Sequence, residues 1–323
     1  MARRYGSLFA LAAVAGFLSA GASSQAQDWP AKSIKVIVPF TAGSATDIVA
    51  RAVFEQVGRD TGQSVVIENR GGGGTTIGSA AVAKAEPDGY TLLVNSTSHV
   101  VVATTFTKLG YNVAEDFTAL SGLAAQPFVV TTRTRYKSLA EFIAFGKANP
   151  TVINYGSAGI GTSGMLFAER FGLVTGIKMT HVPFRGTPEA MTEIIADRLD
   201  MFPGPVVSIV ELVAANKVAA LAVTTPKRAK AFPNVPTLQE AGVQGSDYIF
   251  WAGAFAPVKT PKAVSERIHA LILKALASPE VLKRIDNLGA EPMPMQMPEF
   301  DKFVRAEIKM HADIIEKAGI KTQ

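Results

Sequence analysis

No cysteine occurs among the 323 residues. That absence removes disulfides, thiolate nucleophiles, thiolate-rich metal sites and a lipid-modified cysteine behind an export signal. Stability must rest on core burial instead, and a hydrophobic share of 48% is ample for it. Histidine is also scarce: the four residues at 99, 181, 269 and 311 stand apart with no HExxH spacing, so no zinc-protease pattern is present. The serines include no GxSxG elbow. Basic runs are missing too. Lysines and arginines are scattered among acids, and a formal charge of +5 is too mild to argue for nucleic acid. Such a charge still favours the arrival of an anion.

The first residues have the layout of a secretory signal. Arg3 and Arg4 supply positive charge, Leu8 to Leu18 is an unbroken run of apolar or small residues, and Ser24-Gln25-Ala26 offers a peptidase small residues. Residues 1–26 are therefore expected to be removed, leaving a chain that starts near Gln27. The apolar run is shorter than the roughly 20 residues a membrane anchor needs. Tyr5 and Gly6 do not suit a twin-arginine signal, so the general export route is expected. No later apolar stretch is long enough to span a bilayer.

Downstream of Trp29-Pro30, short β-branched runs alternate with helix-patterned segments, the signature of parallel sheets covered by helices. A strand is expected at Ile34 to Pro39, a loop at Phe40 to Ser44, and a helix from Ala45 to Arg59. Further strands are expected at Val65 to Glu68 and Thr91 to Asn95, with Gly71 to Gly74 as a flexible turn. Phe128 to Thr132 reads as a strand leaving a first lobe. Ser138 and Glu141 form a capping box, and the strand Val152 to Tyr155 enters a second glycine-rich loop, Gly156 to Gly161, before a helix. Thr187 is read as a helix cap with Pro188 in the first turn, and Thr237 with Glu240 as another capping box. Tyr248 to Pro257 is expected to return the chain to the first lobe, and the remainder to be helical. His269 and His311 are read as surface residues. The two crossings would act as a hinge.

Two loops carry most of the chemistry. Each follows a strand and opens a helix, whose free N–H groups and partial positive charge suit a carboxylate or phosphate. The first comprises Phe40, Thr41, Gly43, Ser44 and Asp47; the second comprises Gly156, Ser157, Ala158, Gly161, Thr162 and Ser163. Each hydroxyl has two readings, ligand donor or cap of its own helix. Asp47 would either pair with a ligand amino group or favour the positive end of its helix. Phe40, Phe184, Phe202 and Trp251 are candidates to wall the cleft, and Trp251 is the one singled out, because it sits on the returning crossing.

Gly159 to Gly164 also fits the dinucleotide pattern GxGxxG. The acid required near the end of the next strand is missing, since Met179 to Val182 leads into Pro183-Phe184-Arg185. The remaining enzyme reading is an NADP-dependent one in which Arg185 meets a ribose phosphate.

The ordered motifs resemble the Bug, or TctC-like, family of extracytoplasmic solute receptors of tripartite tricarboxylate transporters. They include Trp29-Pro30, Pro39 to Asp47, Val66-Ile67-Glu68-Asn69-Arg70, Asn154-Tyr155-Gly156-Ser157, Val182-Pro183-Phe184-Arg185-Gly186 and Phe232-Pro233-Asn234-Val235-Pro236-Thr237. The resemblance implies a type II periplasmic binding fold, two α/β lobes comprising 27–127 plus 251–323 and 128–250. It implies no catalytic residue, metal or cofactor. It also implies a periplasmic monomer that takes a small carboxylate between the two loops, bordered by Arg185 and Gly186, and delivers it to integral-membrane permease subunits. A receptor that signals to a kinase is the variant reading. Ser44 replaces a glycine common in the family, and Phe202-Pro203-Gly204-Pro205 lacks an acid often found there. Both departures lead us to expect a flatter, more apolar carboxylate, such as an aromatic one.

Overall fold

The computed structural model describes residues 29–245, 247–317 and 319–320. The expected signal segment lies outside them. The first lobe opens with β1 (Ile34–Val38), α1 (Ala45–Thr61), β2 (Val65–Asn69), α2 (Thr76–Ala83), β3 (Thr91–Ser96) and α3 (Ser98–Thr105). Helix α1 buries Val49, Ala52, Val53, Phe54 and Val57 on one face and stops at Gly62, whose φ of 68° is left-handed. Ile48 remains partly exposed. Helices α2 and α3 are absent from the sequence reading. Each is only eight residues long and rich in small or β-branched side chains, so neither carries a helical signature.

Strand β4 (Phe117–Thr132) follows. The second lobe then contains α4 (Leu139–Ala148), β5 (Ile153–Ser157), α5 (Ser163–Thr175), β6 (Met179–Pro183), α6 (Thr187–Ile195), β7 (Met201–Pro205), α7 (Val206–Ala214) and β8 (Ala219–Val223). The chain returns through β9 (Ile249–Pro257) and ends in α8 (Lys262–Leu276), α9 (Pro279–Asn287), the two-residue β10 (Glu291–Pro292) and α10 (Met297–Lys317).

Strands β2, β1 and β3 pair in parallel, β9 pairs antiparallel with β3 and β4, and β10 lies against β4. In the second lobe β4 pairs antiparallel with β7 and β8, while β5 runs parallel to β6 and β7. Strand β4 therefore belongs to both sheets. Sequence reading began it at Phe128, but it starts eleven residues earlier, as one 16-residue strand with register shifts against β9. Its first half is rich in small residues. Gly122 is required there, since a Cβ would stand 2.6 Å from the Met293 carbonyl.

Two threonines stitch the crossings. Thr97 N–H donates to Trp251 O and its hydroxyl accepts from Trp251 N–H, both at 2.9 Å. In the other lobe Thr224 Oγ1 accepts from Phe128 N–H at 2.9 Å and donates to Tyr248 O at 2.6 Å. Several local expectations are corrected here. Gly186, not Thr187, is the N-cap of α6, with Thr187 already inside the helix. Thr237 and Glu240 make their reciprocal bonds but open only a turn. His269 and His311 are buried, because α8 and α10 turn them onto Leu120 O and Tyr248 OH.

His99 is fully buried between the rings of Phe117 and Phe255, with Asn95 as its side-chain hydrogen-bond neighbour. Burial pushes its pKa down to about 3, and burial chiefly lowers that of His311 to about 4. The unfolded chain takes up these protons near pH 6.5, where the folded chain refuses them, so stability falls as pH drops from 6.5 toward 4. Burial raises the pKa of Glu307, which acts in the opposite sense above its ordinary value. Urea titrations at pH 7 and pH 4.5 should show a loss of about 2 to 3 kcal/mol attributable to His99. His99→Phe should shrink the difference between the two pH values. An unchanged difference would mean that this ring is not a source of the acid sensitivity.

Candidate functional site: a cleft lined by helix N-termini

The first loop is held from behind. Gly43, at φ 79°, donates its N–H to Asp47 Oδ2 at 2.9 Å. Arg51 Nε donates to the same oxygen at 3.0 Å, and Asn69 Nδ2 donates to Asp47 Oδ1 at 2.9 Å and to Phe40 O at 3.1 Å. Burial alone would raise the Asp47 pKa, but Arg51, Gly43 and Asn69 outweigh it and keep the value below normal. Asp47 thus clamps the loop from behind and does not line the cavity between the loops. Ser44 caps α1 by accepting from Asp47 N–H at 3.4 Å.

The second loop is held similarly. The Ser157 hydroxyl accepts from Gly159 N–H at 3.1 Å and lies 2.6 Å from His181 Nε2, whose ring stacks on Tyr155. Burial lowers the His181 pKa to about 4, so the ring is neutral near pH 7. Thr162 Oγ1 donates to Gly159 O at 2.7 Å. Gly156 is in β5 itself, where a Cβ would stand 2.6 Å from Leu199 Cδ1. Ser157 and Gly156 therefore shape the loop from behind.

Between the loops lies a narrow cavity of about 30 Å³, the space of a few water molecules. Of the residues expected at the site, Phe40, Ser44, Ala158, Thr162 and Ser163 line it. Residues opening four helices contribute: Ala45 of α1, Ser98 of α3, Ser163 of α5 and Thr187 of α6. Apolar walls come from Phe40, Phe128, Phe202 and Phe250. No charged side chain is among the described residues that line it. Ser98 and Phe250 escaped the sequence reading. Helix α3 gives no pattern to announce Ser98, and β9 is buried on both faces, so alternation cannot separate Phe250 from its neighbour. Trp251 is that neighbour, and its expected place in the cleft is corrected: it faces α10, packs on Phe300 and Phe303, and donates from Nε1 to Glu307 at 2.9 Å.

The lobes touch at several points around the cavity. Ser163 N–H donates to Ser98 Oγ at 3.1 Å, and the two hydroxyls lie 3.2 Å apart. A Cβ on Gly186 would stand 1.8 Å from Thr41 Oγ1, a buried hydroxyl oxygen with no hydrogen-bond partner. The Gly71 to Gly74 run is an interlobe surface as well as a turn, since a Cβ on Gly74 would stand 1.9 Å from Ile160 O. Phe106 covers Gly161 in the same way, at 2.4 Å. The space above the GxGxxG loop, where a pyrophosphate would sit, is thus occupied by the first lobe. Arg185 is exposed; its N–H donates to Glu189 at 2.9 Å.

The sequence profile described as tripartite tricarboxylate transporter family receptor matches residues 49–320. The chain belongs to that family. It is 34% identical over 302 residues to the UPF0065 protein in the TAR-I ttuE-ttuC' intergenic region of Agrobacterium vitis, covering 92% of this chain and 87% of the relative. A structure from R. palustris with adipate superposes with a TM-score of 0.89 at 30% identity, covering 92% of this chain and 100% of the other. MatC from Rhodopseudomonas palustris with bound malate gives 0.85 at 30%, covering 89% and 100%. The periplasmic binding fold implied by the resemblance is thus the fold of this receptor.

In this receptor the Gly74 contact is backbone against backbone, with no flexible side chain to yield. Gly74→Ala should prop the lobes apart, all the more because Gly74 sits at φ 61°. Small-angle scattering should report a larger radius of gyration for the variant than for the wild type. Equal radii would show that the lobes close without this contact.

Proposed function

We propose that the protein is a monomeric periplasmic receptor, its signal cleaved near Ala26, that closes on a small carboxylate and hands it to integral-membrane permease subunits. The lobes 27–127 plus 251–323 and 128–250 would turn about the β4 and β9 crossings. The observation that carries this reading is the convergence of four helix starts on one cavity without a charged side chain. Each N-terminus presents unpaired N–H groups and about half a positive charge, so together they suit an acid with a carboxylate at either end. The adipate and malate bound by the two R. palustris relatives support that choice.

In this reading the N–H groups of Ala45, Thr46 and Gly164, with the hydroxyls of Ser44, Ser98, Ser163 and Thr187, hold the carboxylates, while the Thr162 hydroxyl stays on Gly159 O. Thr41 Oγ1, buried and unpartnered beside Gly186, adds a donor at the rim. The four phenylalanines sandwich the body of the ligand, which favours a longer aliphatic or an aromatic diacid over a compact hydroxylated one. Because the cavity is so narrow, the acid enters only when the lobes part.

Thermal-shift measurements against adipate, malate, citrate and an aromatic dicarboxylate test the proposal. An acid at one hundred times its Kd should add about 2.7 kcal/mol. Indifference to all four at millimolar concentration would overturn the reading. For an acid that binds, Phe250→Ala should weaken affinity about tenfold, the loss of one ring's contact. Trp251→Phe should lower Tm with little change in Kd. The reverse pattern would place the ligand on the other face of β9.

A further inference from the structure

A second cavity, of about 330 Å³ and sharing no lining residue with the cleft, opens beside the crossing strands. Ala125, Gln126 and Pro127 of β4 and Ile249 of β9 contribute to it, so both crossings are present. The rest comes from both lobes: segment 225–230 of the second, and Asp286 with residues 289–291 of the first. Its size suits a small organic molecule, and interfaces between lobes are where such sites occur.

Three observations indicate what would fit. Ile249 is 51% exposed and turns an apolar face onto the cavity wall. Gln126 is only 3% exposed; its Oε1 accepts from Val207 N–H at 2.8 Å, but its Nε2 has no partner. The charges are segregated by lobe, with Lys227, Arg228 and Lys230 on the second and Asp286 and Glu291 on the first. Arg228 is engaged by Glu240 at 2.8 Å, and Lys230 approaches Asp286 at 3.7 Å. Lys227 and Glu291 form no ion pair with any described residue.

We propose that this cavity is a second binding site for a small zwitterion with an apolar body, of the chemistry of a free aliphatic α-amino acid. The carboxylate sits toward Lys227 and Lys230, the ammonium toward Glu291 and Asp286, and the side chain covers Ile249 and Pro127. Because such a ligand touches both lobes and both crossings, it favours the lobe arrangement that forms the cavity. By linkage, it then raises the affinity of the cleft for its own ligand, and the reverse. Binding here does not depend on the carboxylate reading of the cleft; only the coupling does.

Calorimetric titration with L-leucine, L-valine and L-alanine tests the site in the full chain. At least one should bind saturably to the wild type, and Lys227→Glu and Glu291→Lys should each weaken it at least tenfold. Both side chains are exposed, and unchanged circular dichroism and Tm would certify the fold of each variant. The cleft variant Phe250→Ala should retain the binding. Saturating adipate should tighten it, whereas displacement by adipate would assign the amino acid to the cleft and overturn the proposal. Absence of saturable binding at millimolar concentration, or binding that survives both charge reversals, would also overturn it. If none of the four acids binds the cleft, the carboxylate reading fails alone, and the charge reversals still decide the second site.

Discussion

The pairing of β4 with β9 is the constraint on which the rest of the molecule depends. These strands run antiparallel from Phe117 against Pro257 to Pro127 against Ile249. Strand β4 then continues, without interruption, as a member of the second sheet. A hinge made of a paired ribbon bends but resists shear, because sliding one strand past the other would break every ladder bond. Thr97 and Thr224 anchor the ribbon near its Pro127–Ile249 end, where the chain crosses between the lobes, each using backbone and hydroxyl together. In the proposed opening and closing, the motion left to the lobes is rotation about the ribbon, which would bring the loops of one lobe onto those of the other.

Topology then places the chemistry. In both lobes the parallel strands deliver the chain to loops that open helices, so α1, α5 and α6 begin at the same edge of their sheets, and α3 joins them from the first lobe. Asp47 and the pair Ser157–His181 stand behind these loops. They spend their polar groups on backbone N–H groups and neighbouring side chains, which keeps the helix starts in place without contributing to the cavity wall. Glycine at 74 and 186 lets the two lobes approach within contact distance, a role distinct from turning the chain.

Much of this was legible in the residues. Periodicity located α1, β1 and β5, and the glycine loops followed from the order of strand, loop and helix. Residues of those loops that line the cavity between the lobes, Phe40, Ser44, Ala158, Thr162 and Ser163, could be placed there from the same order. Where the reading failed, a particular physical cause is visible. The helices α2 and α3 are short and made of residues that favour neither helix nor strand, so Ser98 had no context. Burial of β9 on both faces erased the alternation that would have distinguished Phe250 from Trp251. Gly71 to Gly74 looked like slack in the chain because a close approach by a distant segment leaves no local trace. His269 and His311 looked like surface because their partners, Leu120 and Tyr248, are far away in sequence.

The uncharged wall of the cleft also governs how a ligand leaves. A salt bridge to a long arginine or lysine side chain can follow a departing anion for several ångströms, and it must be broken against solvent. Helix starts cannot follow: they are rigid, and their pull fades within about one turn. In the proposed opening, the donors of one lobe would withdraw with the lobe that carries them, leaving those of the other to face bulk water. On that proposal retention and release would be two positions of one hinge, so whatever opens the lobes would also empty them.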